Sequence, residues 1–145
     1  MNILELTAIL SCALFAGAAI YINLAEHPAR LECGTELAAT VFGPSYHRAA
    51  AMQASLAIIA TISGIATGIS HNSWVWFLGA ALIFLVVPFT FIGIMPTNKK
   101  LLDPSRDRNS DETLALLIKW GRLHGVRSIL SFVATLIYLY QSLSS

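Results

Sequence analysis

Four long apolar stretches govern what this sequence can fold into: Ile3 to Ala25, Ala49 to Ile69, Trp74 to Met95 and Leu123 to Leu143. Each is close to the ~20 residues that a helix needs to cross ~30 Å of hydrocarbon. The first three are clear. The fourth is weaker, because His124 and Arg127 stand at its start. Charged residues make up 12% of the 145-residue chain, about half of the ~25% with which a soluble domain wets its surface. These features predict an all-α integral membrane protein, a single four-helix bundle over residues 1–145. The first stretch has no Lys or Arg ahead of it and is too long for a signal-peptide core, so it reads as a retained transmembrane helix.

Charge sets the expected orientation. All nine Lys and Arg residues lie in, or at the helix edges of, the 26–48 and 96–122 connections, and none lies on the other side. The positive-inside rule then places both connections in the cytoplasm and both termini outside. Ser70-His71-Asn72-Ser73 reads as a tight turn that leaves His71 in solvent and makes an antiparallel hairpin of the second and third helices. Pro88 is expected to kink the third. Glu26-His27-Pro28 is expected to end the first helix, since proline disfavours helical backbone in the residue before it. Residues Glu32 to Phe42 then suit a short interfacial helix in the first cytoplasmic loop, closed by Gly43-Pro44, with Ser45 capping the second membrane helix. Pro96-Thr97-Asn98 is expected to stop the third. Asn109 and Glu112 resemble a capping box, which starts the fourth helix well before the membrane. Its packing stripe is Leu114, Leu117 or Ile118, Gly121 and Gly125. Trp74, Trp76 and Phe77 read as an outer aromatic belt, as do Tyr138 and Tyr140 at the end of the fourth helix.

A net charge of +1 leaves no basic stripe able to neutralise phosphates, so no nucleic-acid partner is expected. Cys12 and Cys33 form no C-x-x-C, and neither a thiol-redox motif nor a thiolate zinc site is supported.

The polar residues gather at one membrane depth. Trp120, His124 and Arg127 fall on one helical face, while Gly121 and Gly125 leave a flank that another helix can approach. Asn23, Glu26, His27 and Arg30 end the first segment; Tyr46, His47 and Arg48 open the second, with Gln53 deeper; Asn98 follows the third. Such a ring makes a polar mouth over an apolar interior, suited to an amphipathic ligand with a flat hydrophobic body. Each member has a plainer reading. Arg127 would serve as a snorkelling anchor, Arg30 and Arg48 as topogenic charges, Glu26 as their ion-pair partner, Tyr46 as a belt residue and Gln53 as interhelical glue. His27, His47 and His124, with Glu26, also resemble the histidine and carboxylate set of non-haem iron sites. However, no single helix carries an H-x-x-H or E-x-x-H pair. Only one cytoplasmic layer of histidines exists for a haem, and no carboxylate sits in mid-membrane as an exporter would require.

Several blocks together resemble the anthrone oxygenase-like family, formerly a domain of unknown function: His27-Pro28-Ala29-Arg30, Tyr46-x-Arg48-Ala49 with Gln53, Pro96-Thr97-Asn98, and Trp120-x-x-x-His124-x-x-Arg127-Ser128. The likeness runs over nearly the whole chain. It implies oxidation of an anthrone to an anthraquinone with molecular oxygen as co-substrate and no standard organic cofactor. On that chemistry His124 removes the C10 proton. Arg127, Asn98 or Tyr46 would stabilise the oxyanion, and Trp120 would stack on the rings. Gln53, Arg48 and His27 would complete the substrate site. A metal-dependent variant would draw on His27, His47, His124 and Glu26. Membrane lipid and a hydrophobic small molecule are the expected partners, and the sequence is compatible with a homo-oligomer. The competing reading is a non-catalytic membrane subunit that binds a lipid, a quinone or a partner helix in the same groove.

Overall fold

A computed structural model describes residues 2–144, and they form four long helices. These are α1 (Ile3–Glu32), α2 (Thr35–His71), α3 (Trp74–Leu101) and α4 (Asp111–Leu143), each long and apolar enough to cross a membrane. Helices suit that setting because they satisfy every backbone hydrogen bond within one segment. The chain is thus an all-α four-helix bundle with the composition of a multi-pass membrane protein. α1 and α3 sit at opposite corners, each packed between α2 and α4.

The helices run further than their apolar stretches, and proline is why the sequence misleads. Pro28 and Pro96 were expected to end α1 and α3; both helices run on past them. Each proline follows a wide π turn by two residues, Ile22–Glu26 in α1 and Thr90–Ile94 in α3. A proline ring clashes with the carbonyl four residues back. Here those carbonyls belong to Leu24 and Ile92, inside the widened turns, so the axis continues. Pro88 lies inside α3 just ahead of its π turn.

The separate interfacial helix does not form. Residues 35–42 are the first turns of α2, which passes straight through Gly43-Pro44, and Ser45 caps nothing. The break comes earlier, at Cys33-Gly34, where Gly34 takes a φ of +99° that side-chain-bearing residues rarely adopt. The hairpin turn is as expected: Asn72 is left-handed at a φ of 47°, and the Ser73 amide closes back on the Gly68 carbonyl at 3.0 Å. The cap of α4 falls one residue later than expected. Ser110 Oγ accepts from the Thr113 amide at 3.2 Å, and Asp111 and Glu112 complement the helix dipole. In the loop before it, the Ser105 hydroxyl and amide donate to Asp103 and hold that carboxylate below its usual range.

The core has two parts. Near the termini and the hairpin, Phe15, Trp76, Ile83 and Tyr138 fill the space between alanines. Trp76 and Tyr138 are both fully buried, not belt residues as expected; Trp74 and Tyr140 keep that exposed role. Gly64 and Gly79 make the room, because a methyl group on either would run into the Tyr138 ring. His71 is exposed as expected, and its Nε2 also lies 3.1 Å from the buried Glu5 carboxylate. At the other end Phe42, Ile94, Leu101, Leu117 and Trp120 form the second part. Leu117, not Ile118, turns inward.

Candidate functional site

Between the two cores lies a layer of polar side chains, and the α1 π turn supplies its centre. Asn23 sits in that turn and reaches across to α4. Its Nδ2 donates to the Gly121 carbonyl at 2.8 Å, which fixes the amide's orientation because a carbonyl can only accept. Oδ1 must then accept. It takes the Ser128 hydroxyl at 2.6 Å and His124 Nδ1 at 2.8 Å. The imidazole therefore carries its proton on Nδ1, leaving the Nε2 lone pair without a hydrogen bond among the described residues. One turn further, Arg127 Nη2 donates to Gln53 Oε1 at 2.7 Å, bridging α4 and α2 across the bundle interior. The guanidinium lies 5.4 Å from the centre of the Phe15 ring, a cation–π contact.

His124, Arg127, Trp120, Gln53 and Tyr46, predicted from two separate blocks, line one pocket between α1, α2 and α4. Trp120 forms its aromatic wall, with ring centres 4.8 Å from His124 and 5.2 Å from Phe42. Arg30 stands at the mouth, paired with Glu26 and donating to Ser45 Oγ at 2.6 Å. Within this pocket Gln53 is 1% exposed and Arg127 9%. Yet Gln53 Nε2, Arg127 Nε and the Trp120 indole N–H have no hydrogen-bond partner among the described residues. A buried donor left unpaired costs about 1–3 kcal/mol. Three such donors around one pocket can serve a ligand that brings acceptor oxygens.

Other expected members lie elsewhere. His27 donates from Nε2 to the Leu117 carbonyl at 2.9 Å and packs behind Trp120, outside the pocket lining. Gly121 is what lets it fit: a methyl group there would come within 2.8 Å of the imidazole. Arg48 and His47 are exposed and away from the pocket. Asn98 is fully buried with neither amide atom partnered, but it does not line the pocket. The four proposed metal ligands do not converge. His27 is committed to a backbone carbonyl, Glu26 to Arg30, and His47 to the surface; among the described residues no group of three or more His, Cys, Asp or Glu could hold a metal ion. From the sequence, Asn23 stands in the polar ring without a role and Ser128 only in a motif, although an asparagine near the end of an apolar run needs a partner across helices.

Against known proteins, the family model described as anthrone oxygenase matches residues 42–137. That span holds Gln53, Trp120, His124 and Arg127. The chain is also 26% identical over 150 residues to the anthrone oxygenase AgnL2 of Paecilomyces divaricatus, covering 92% of this chain and 91% of the relative. No solved structure matches.

Proposed function

The chain belongs to the anthrone oxygenase family, and from that premise we propose that it oxidises an anthrone-type polycyclic ketone with molecular oxygen in the pocket around His124. The observation that carries this reading is the pairing of a free imidazole nitrogen with unpartnered buried donors on one apolar pocket. The His124 Nε2 lone pair takes a proton from C10. The resulting anion spreads its charge onto the ketone oxygen, which the Arg127 Nε and Gln53 Nε2 donors are suited to hold. Asn98, outside the lining, has no part in that role; Gln53 takes its place. Dioxygen is a triplet, so one electron passes to it from the anion before the two radicals combine and the C10–O bond forms. The resulting peroxide anion takes the proton back from the imidazolium and becomes a hydroperoxide. Removal of the second C10 hydrogen as a proton, with cleavage of the O–O bond, leaves a carbonyl at C10 and releases water. One anthrone and one dioxygen thus give one anthraquinone and one water.

Asn23 and Ser128 act through His124, holding the tautomer that presents Nε2. Trp120 offers a flat face to the rings. We place this end of the bundle at the cytoplasmic side, because every Lys and Arg lies toward it. The test is oxygen uptake by the purified protein in lipid nanodiscs. Uptake that requires an anthrone and matches anthraquinone formation one for one supports the enzyme. Anthraquinone binding without uptake would overturn it in favour of a carrier or binding subunit.

A further inference from the structure

The Arg127–Gln53 bridge has a second side. Across it from the His124 pocket lies another chamber, with a cavity volume of about 150 Å³ against about 20 Å³ for the first, and the two share Tyr46, Ala50, Gln53 and Arg127. Its floor is Phe15, Gln53 and Arg127, and its rim is Ala54 on α2 with Val87 and Phe91 on α3.

Where this chamber opens matters. α2 and α3 pack closely near their hairpin, but contacts become sparse beyond Thr90, where the π turn begins. The rim residues lie within the two membrane-crossing helices, and Phe91 and the neighbouring Ile92 are 63% and 80% exposed. The mouth therefore faces lipid, not water. Arg127 is the only charged residue in the lining, and every other rim group is neutral. A carboxylated, sulfated or glycosylated molecule would have to shed its hydration at an apolar slot, whereas a neutral polycycle is already dissolved there. At the floor, Gln53 Nε2 and Arg127 Nε are buried donors without partners among the described residues, matched to the ketone oxygen of such a molecule.

Resting on the oxygenase reading above, we infer that its lipid-soluble substrate enters sideways from the bilayer through the α2–α3 seam. The chamber takes up one flanking ring of the polycycle, leaving the central ring at the bridge with its oxygen on Gln53 and Arg127 and C10 toward His124.

The test narrows the seam and reads binding and turnover separately in nanodiscs. Ala54→Phe and Val87→Phe obstruct it from opposite helices, so one remains informative if the other fails to insert. Ala51→Phe adds the same bulk to an exposed flank of α2 outside both chambers. Binding is followed with unsubstituted anthraquinone by quenching of tryptophan fluorescence, and turnover by anthrone-dependent oxygen uptake. The seam variants should raise both Kd and KM by about tenfold or more with kcat within about twofold, while Ala51→Phe changes neither. Seam variants indistinguishable from the parent, or an equal loss in Ala51→Phe, would overturn lateral entry. Seam-dependent quinone binding without any turnover would overturn the oxygenase reading and leave lateral entry standing. Turnover that ignores the seam would do the reverse.

Discussion

The two halves of the bundle bury polar groups on different terms. In the half near the termini, almost every buried polar atom is paired. Tyr138 donates to the Ala60 carbonyl at 3.1 Å, Thr135 to the Ser131 carbonyl at 2.8 Å, and the Glu5 carboxylate faces His71 and accepts from Ser142. The Trp76 indole N–H is the exception. In the other half, Gln53, Arg127, Trp120 and Asn98 all keep unpartnered polar atoms. One half is completed by its own chain; the other holds donors in reserve. The difference separates a framework from a site, and mutations should respect it.

The largest effect is expected at His124. His124→Gln keeps the volume and a hydrogen bond to Asn23 but cannot shuttle a proton, so kcat should fall by ~10²–10⁴ with the thermal midpoint unchanged. Oxygen uptake and a melting curve on one preparation would check it. Arg127→Lys comes next. It keeps the charge but loses the Nε donor and the planar fork, and kcat/KM should drop by about 10–10², the worth of one charge-assisted hydrogen bond. An anchor that merely snorkels would not register this change. In the framework half the pattern should invert. Gly79→Ala pushes a methyl group into the Tyr138 ring, so it should destabilise the bundle by ~1–3 kcal/mol while the surviving protein keeps its kcat/KM. Smallest of all, Arg48→Ala removes an exposed charge from outside the pocket and should leave kcat/KM within about twofold.

How much of this was legible beforehand follows from which forces are local. Hydrocarbon thickness imposes a length on each span, so four helices could be counted directly from the sequence. Helix ends could not. Pro28 and Pro96 carry strong local stop signals, and only the π turns before them, held in place by packing against other helices, override the clash. Trp76 and Tyr138 stand at segment ends, where aromatic residues commonly meet headgroups; the glycines that make room for Tyr138 lie on other helices. The polar layer was visible as a cluster because polar side chains in an apolar run need partners. Rotation about each helix axis was not visible. It turned His124, Arg127 and Gln53 into the pocket, His27 toward a backbone carbonyl and Arg48 to the surface, and it dissolved the proposed metal set.

The claim beneath all of this is that the unpartnered donors are kept for a ligand at the expense of stability. Gln53→Glu isolates it. The substitution preserves the oxygen that accepts from Arg127 and replaces the Nε2 donor with a second acceptor, so the bridge becomes an ion pair. Measured in nanodiscs, the variant should melt at or above the parent's temperature while anthrone-dependent oxygen uptake falls by ~10²–10³, the usual consequence of losing an oxyanion donor. A variant that melts lower yet keeps its uptake would show that Gln53 is interhelical glue, and would contradict the account.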